Sequence, residues 1–205
     1  MRRPELIRLT AALVFSILAL DLLWSLAVGS TGTPLYGLLD LPAHLATCAV
    51  ALLFVGSLLG PRLPRRFLVA ALIASVAIDF DHLPGYVGSQ MLTGSLPRPY
   101  THGLLTVVLL LALGNASRGG ARQISFGLAF GVATHLFRDL GTGPGIPLLW
   151  PFSDAAAVVP YAVYAGALSL AAVAVTIRLV FARPRPVRYR HAVRPLPDVG
   201  PHVGS

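Results

Sequence analysis

Six apolar stretches, most of them closed by Gly or Pro and separated by polar turns, constrain this chain more than any other feature. They run from Leu6 to Val28, Pro42 to Leu59, Phe67 to Asp81, Thr101 to Leu113, Gln123 to Leu140 and Ala155 to Phe181. A helix needs roughly 20 mostly apolar residues to cross about 30 Å of hydrocarbon. Most of the stretches approach that length; the fourth is the shortest. Only 12% of the 205 residues are charged, against about 25% in soluble domains, which is too few to cover a water-exposed surface. The expected fold is all-α: a polytopic integral membrane protein of about six transmembrane helices in one bundle, spanning residues 1–181. An Arg/Pro-rich tail, residues 182–205, is expected to be disordered.

The basic residues orient the bundle. All 16 are Arg, a usage that suggests a GC-rich bacterial genome. Short cytoplasmic loops are enriched in Lys and Arg. In a six-span arrangement Arg2, Arg3, Arg8, Arg62, Arg65, Arg66, Arg118, Arg122, Arg178 and the tail arginines fall on one side. Only Arg98 and Arg138 fall on the other. Both termini are therefore expected in the cytoplasm of a bacterial inner membrane, with the 84–99 and 141–153 loops outside. The net charge of +8 is a topology signal; no aromatic-basic interleaving points to nucleic acid. The first apolar run exceeds the 7–15 residues of a secretory signal core. The single cysteine, Cys48, excludes a disulfide within the chain.

The remaining polar residues gather at one end. Glu5, His191, Asp198 and His202 lie in the cytoplasmic ends. Asp21, Asp40, His44, Asp79, Asp81, His82, His102, His135, Asp139 and Asp154 all fall toward the outer ends of the spans. Each such Asp costs about 2.5–3.5 kcal/mol near the centre of a membrane helix, so convergent ones are functional candidates. Imidazole and carboxylate suit zinc, iron or manganese. His135 and Asp139 share a helix face at i,i+4, and Asp79 and His82 share one at i,i+3. Simpler readings stand beside this one. His44 packs between helices, Asp40 caps the second helix, Asp154 caps the sixth, Thr101 caps the fourth, and Asp21 is an interfacial residue beside Trp24.

Three elements, Asp79-Phe80-Asp81-His82, Arg98-Pro99-Tyr100-Thr101-His102 and His135-Leu136-Phe137-Arg138-Asp139, resemble the YdjM-like family of membrane-bound proteins regarded as metal-dependent hydrolases. The Gly-rich loop from Gly141 to Phe152, ending Trp150-Pro151-Phe152, matches the family's character, and His44 corresponds to its early histidine. The resemblance covers about His44 to Phe152. Ile78 stands where the family usually has Pro, Pro97 where it often has His, and Gly103 where it has Ser.

The resemblance implies a metal-dependent hydrolase and no particular substrate. The ligand pool is expected to be His44, Asp79, Asp81, His102, His135 and Asp139, holding one or two divalent transition-metal ions, with zinc the expected metal. His82 is the spare acid/base, Asp81 serves as ligand or general base, and Arg98 is placed to clamp a phosphate oxygen. The expected substrate is a phosphoester or related ester of a lipid or lipid-linked molecule. The rival readings are a metal-ion or proton transporter and a non-catalytic membrane partner with a structural metal. Transporters bind near the midplane between broken helices, whereas here the polar groups sit at one end.

Overall fold

Helices account for all the regular structure of this computed structural model, which describes residues 3–27, 34–60, 63–94, 96 and 98–181. In chain order they are α1 (Arg3–Ala27), α2 (Pro34–Leu59), α3 (Arg65–Ala77), a 3-10 turn (Ile78–His82), the short α4 (Leu83–Tyr86), α5 (Leu104–Ala116), α6 (Gly119–Thr142) and α7 (Tyr161–Phe181). Four stretches are long and apolar enough to cross a membrane: Arg3–Leu23, Asp40–Leu59, Arg65–Gly85 and Tyr161–Phe181. Helix α5 is a shorter apolar helix. Helix α6 is as long as the spans, but it is the one whose buried residues include His, Arg and Asp. Pro97 and the 182–205 tail lie outside the described residues.

The centre of the bundle is the pairing of α3 with α6. Gly127 and Gly131, four apart on α6, meet the backbone carbonyls of Phe67 and Ala71 on α3; a Cβ at either glycine would collide with them. Small residues at this spacing let two membrane helices approach closely. The contacts advance together along both helices, from Arg66 beside Gly120 to Ser75 beside His135, so α3 and α6 run parallel. The close approach carries the end of α3 directly to His135.

The neighbours complete the bundle. Helix α5 folds back on α6, with Gly114 against Phe126. Helices α1, α2 and α7 pack through Val14, Ile17, Val50, Tyr164 and Leu168. Cys48 and Leu52 of α2 pack on Ala71 of α3. Ala74, Val132, Leu136 and Ile146 seal the layer beneath the polar end. Outward-facing Phe15, Leu22, Leu170 and Phe181 remain exposed, as expected for surfaces that meet lipid.

Several boundaries differ from the expected ones. Helix α2 starts at Pro34 and carries Pro42 inside it, so Asp40 lies within the helix and does not cap it. Gly103, not Thr101, occupies the position before α5, and no side chain caps that helix. Helix α7 begins at Tyr161. The residues before it run extended, and Ala157 bridges to Ile146. Asp154 is exposed, and its distance along the chain from Tyr161 rules out a capping role.

Candidate metal centre

The site is built where α3 stops and α6 stops on the same side. At the end of α3 the chain tightens into the 3-10 turn Ile78–His82. In a 3-10 turn residues three apart eclipse, so Asp79 and His82 are brought to one side, 3.9 Å apart. Phe80, between the two carboxylates, turns outward and is 67% exposed. On α6, His135 and Asp139 lie one above the other, Nε2 to Oδ2 at 3.2 Å. His102 enters from the loop before α5, fully buried.

The imidazoles are oriented. His135 Nδ1–H donates to the Ser75 carbonyl at 2.9 Å, which leaves Nε2 as the ligand atom. That Nε2 lies 3.2 Å from His102 Nε2. It lies 3.4 Å from Asp79 Oδ1. His102 Nε2 is itself 3.7 Å from Asp79 Oδ1 and 3.6 Å from Asp139 Oδ2. Donor atoms held about 2.1 Å from one ion stand roughly 3.0–3.4 Å apart, so these spacings suit shared coordination. His44, from α2, stacks on His135 with ring centroids 3.8 Å apart, and its Nε2 stands 3.5 Å from Asp139 Oδ1.

His102 has a second side. Its Nδ1 lies 3.2 Å from Asp81 Oδ2, and Asp81 is held by a hydrogen bond from the Thr101 hydroxyl. His82 meets His102 edge-on, centroids 5.0 Å apart. The potential ligands therefore form three overlapping groups: His44, His135 and Asp139; Asp79, His102 and His135; Asp81, His82 and His102.

Electrostatics favour a cation here. Three carboxylates, Asp79, Asp81 and Asp139, face a single guanidinium, Arg98, whose Nη1 reaches Asp139 Oδ2 at 2.8 Å. Buried charge of one sign is costly without compensation. Burial opposes protonation of His102, but the neighbouring Asp79, Asp81 and Asp139 carboxylates outweigh it and push its pKa up to about 9. His44 Nδ1, Asp81 Oδ1, His82 Nε2 and both oxygens of Asp139 are buried without an aligned hydrogen bond. Orphaned donors and acceptors of this kind are rare unless something else satisfies them. The donor set, imidazole and carboxylate only, fits a divalent transition ion, and the residues present can hold a metal.

A family model for the YdjM inner membrane protein matches residues 39–193. The chain belongs to this family. Over 96 residues it is 31% identical to the inner membrane protein YdjM of Escherichia coli (strain K12), a match covering 40% of this chain and 47% of that protein. The inner membrane protein YdjM of Shigella flexneri matches to the same extent. The match thus spans about half the length of these curated relatives. No solved structure matches.

In this YdjM-family chain, all six expected ligands, His44, Asp79, Asp81, His102, His135 and Asp139, stand at one end of the bundle together with His82 and Arg98. They do not all meet at one point: Asp81 approaches His102 at Nδ1, whereas His135, Asp79 and Asp139 approach it at Nε2. Arg98 is only 8% exposed and engages Asp139, so it is part of the buried cluster and not a loop residue in solvent. Its passage depends on Gly143, where a Cβ would stand 2.7 Å from Arg98 Nη2.

Sequence reasoning missed a second buried network. Arg138, 3% exposed, sits beside Asp139 on α6 but faces α1, α2 and α7. It bonds to Asp21, Asp40 and Tyr164. Asp40 is thereby a partner of Arg138 and of His44, and Asp21 pairs with Arg138 and Tyr161. The available signal was the pair of arginines on the wrong side of the charge asymmetry. Arg98 and Arg138 are the two exceptions, and both are buried.

Proposed function

We propose that this inner membrane protein is a metal-dependent hydrolase, cleaving a phosphoester or related ester of a lipid or lipid-linked substrate at the extracytoplasmic face. The observation that carries the reading is the approach of His102 and His135 Nε2 to each other and to Asp79 and Asp139, within 3.2–3.7 Å. Zinc is the proposed ion, held by those four residues with His44 and Asp81 contributing to the wider set. Such an ion supplies Lewis-acid polarisation of the ester and lowers the pKa of a water that attacks it.

The chain's own residues have separate tasks. Asp79, Asp139 and the imidazoles hold the charge and fix the reacting geometry. His82 Nε2, buried without a hydrogen-bond partner, is the acid/base that carries a proton to the leaving oxygen. Arg98 restrains Asp139 and offers its guanidinium to an anionic oxygen of the substrate. An apolar rim supports a lipid substrate: Phe80, Leu83 and Val87 follow the ligands on one side, and Leu149 and Phe152 on the other, all exposed. Phe152 is 93% exposed. The outward orientation rests on the Arg distribution. A single-Cys probe at Ser89 should be labelled from outside; labelling only from the cytoplasm sinks the orientation.

Burial argues against a transport path. Among the described residues, the buried His, Arg and Asp side chains, His44, Arg98, His102, His135, Arg138 and Asp139, all lie at one end. The deciding experiment offers phospholipid, isoprenyl-phosphate and generic phosphoester substrates to reconstituted protein and measures metal flux in parallel. Metal-dependent product without flux is expected. Arg98→Ala should retain metal and lose about 1.5–3 kcal/mol of transition-state stabilisation on anionic substrates, one to two orders of magnitude in rate. Arg98→Lys should recover only part of it, since an ammonium lacks the planar fork. Flux that needs His135 and Asp139, with no hydrolysis, would favour a transporter.

A further inference from the structure

Asp40 lies outside the three ligand groups, yet it is the link between them and Arg138. The Arg138 guanidinium has five N–H donors, and the network supplies an acceptor for each. Nε and Nη2 reach Asp40 Oδ1 at 3.1 and 2.6 Å. Nη2 and Nη1 reach the two oxygens of Asp21 at 2.7 and 3.3 Å. Nη1 also reaches the Tyr164 hydroxyl at 3.0 Å. Oδ1 of Asp40 is therefore committed to Arg138. Its other oxygen, Oδ2, lies 3.1 Å from His44 Nε2. The second carboxylate near that nitrogen, Asp139 Oδ1, is farther at 3.5 Å. His44 Nδ1 is buried and has no hydrogen-bond partner.

We infer that Asp40, held in register by Arg138, is a positioning residue that fixes His44 as the Nε2–H tautomer and so presents Nδ1 as its metal-binding atom. An ionised carboxylate can only accept, so the ring nitrogen facing it carries the proton. In a neutral imidazole the other nitrogen then keeps its lone pair. Carboxylates that orient a ligating histidine in this way typically change metal affinity about 10–100-fold when lost. Arg138 sets the direction of the effect. With two donors of the guanidinium fork directed at Oδ1, an Asn at position 40 would place its oxygen toward Arg138 and its NH2 toward His44. That forces the opposite tautomer and removes the lone pair from Nδ1. His44 belongs to the metal centre proposed above, so the affinity consequence rests on that reading; the tautomer does not.

The test uses the full chain in detergent with [15N]histidine, His44 being assigned by its loss in His44→Gln. In metal-free protein the His44 resonances should report Nε2–H, and Asp40→Asn should switch them to Nδ1–H. Zinc affinity, measured by competition with a chromophoric chelator, should fall about 10–100-fold in Asp40→Asn. Asp21→Asn is the control: it perturbs Arg138 but does not touch His44, so it should lower thermal stability and leave both the tautomer and the zinc affinity within about threefold. A wild-type His44 protonated on Nδ1, or an Asp40→Asn variant with an unchanged tautomer, overturns the inference. Equal loss of affinity in Asp21→Asn and Asp40→Asn would also overturn it, by making the network only a clamp between helices. Wild-type protein that shows the Nε2–H tautomer but binds no zinc leaves the positioning role standing and refutes the metal centre.

Discussion

At the end of the bundle where α3 and α6 stop, six His, Arg and Asp side chains are buried among the described residues, His44, Arg98, His102, His135, Arg138 and Asp139. In the opposite half the polar side chains inside the bundle are chiefly hydroxyls. Thr10 donates to Leu6, Ser57 to Phe54 and Thr176 to Ala172, each within its own helix. The two solutions differ in what they require. A hydroxyl satisfied by its own helix demands nothing from its neighbours, and the helices there are free to pack through apolar and small residues. A buried charge must be matched from another element: Arg138 is matched from α1, α2 and α7, and Asp139 from the 98–102 loop through Arg98. The polar end is thus defined by tertiary pairing and the opposite half by shape.

That contrast predicts a graded response to substitution. Arg138→Met should have the largest effect, because it leaves Asp21 and Asp40 without their common partner. Breaking a buried pair in this way costs about 3–5 kcal/mol, measurable as reversible unfolding in detergent; a loss below about 1 kcal/mol would break the comparison. Gly127→Val tests the shape-defined half. It forces a branched side chain onto the Phe67 carbonyl and should cost about 1–3 kcal/mol, less than the loss of Arg138. The third effect is on pH. In metal-free protein His102 holds a proton up to about 9, and an ion can bind only the neutral ring. Apparent zinc affinity should therefore rise roughly tenfold per pH unit from 7 toward 9 and flatten above, with proton release on binding. Affinity independent of pH would separate His102 from the centre. The smallest effect is expected from Thr10→Val, about 0.5 kcal/mol or less, since the Leu6 carbonyl keeps its place in the helix.

The same contrast decides what the sequence could reveal. Apolar length and the one-sided arginines made the helices and the polar end legible, because both follow from transfer into lipid and act segment by segment. Ligand candidates were legible for the same reason: an Asp or His at membrane depth is conspicuous on its own. The limits of the helices were not. Asp40 and Pro42 look like a helix start, yet α2 begins at Pro34, and Asp40 is instead a partner of Arg138, 98 residues away in the chain. Asp154 looks like a cap, but the bridge between Ile146 and Ala157 keeps the chain extended until Tyr161. The division of the ligands into overlapping groups depends on the rings they share, His135 and His102, and no spacing in the sequence encodes which ring nitrogen meets which carboxylate.

The central claim is that the polar end holds a divalent metal ion. Metal analysis of purified wild-type protein, beside His135→Ala and Thr10→Val, tests it most directly. His135→Ala removes the ring nitrogen that lies 3.2–3.4 Å from His102, Asp79 and Asp139, whereas Thr10→Val changes only the opposite half. At least one transition-metal ion per chain is expected in wild type and Thr10→Val, with most of it gone from His135→Ala. Wild-type protein that takes up no metal, or His135→Ala protein that retains as much as wild type, would contradict the account.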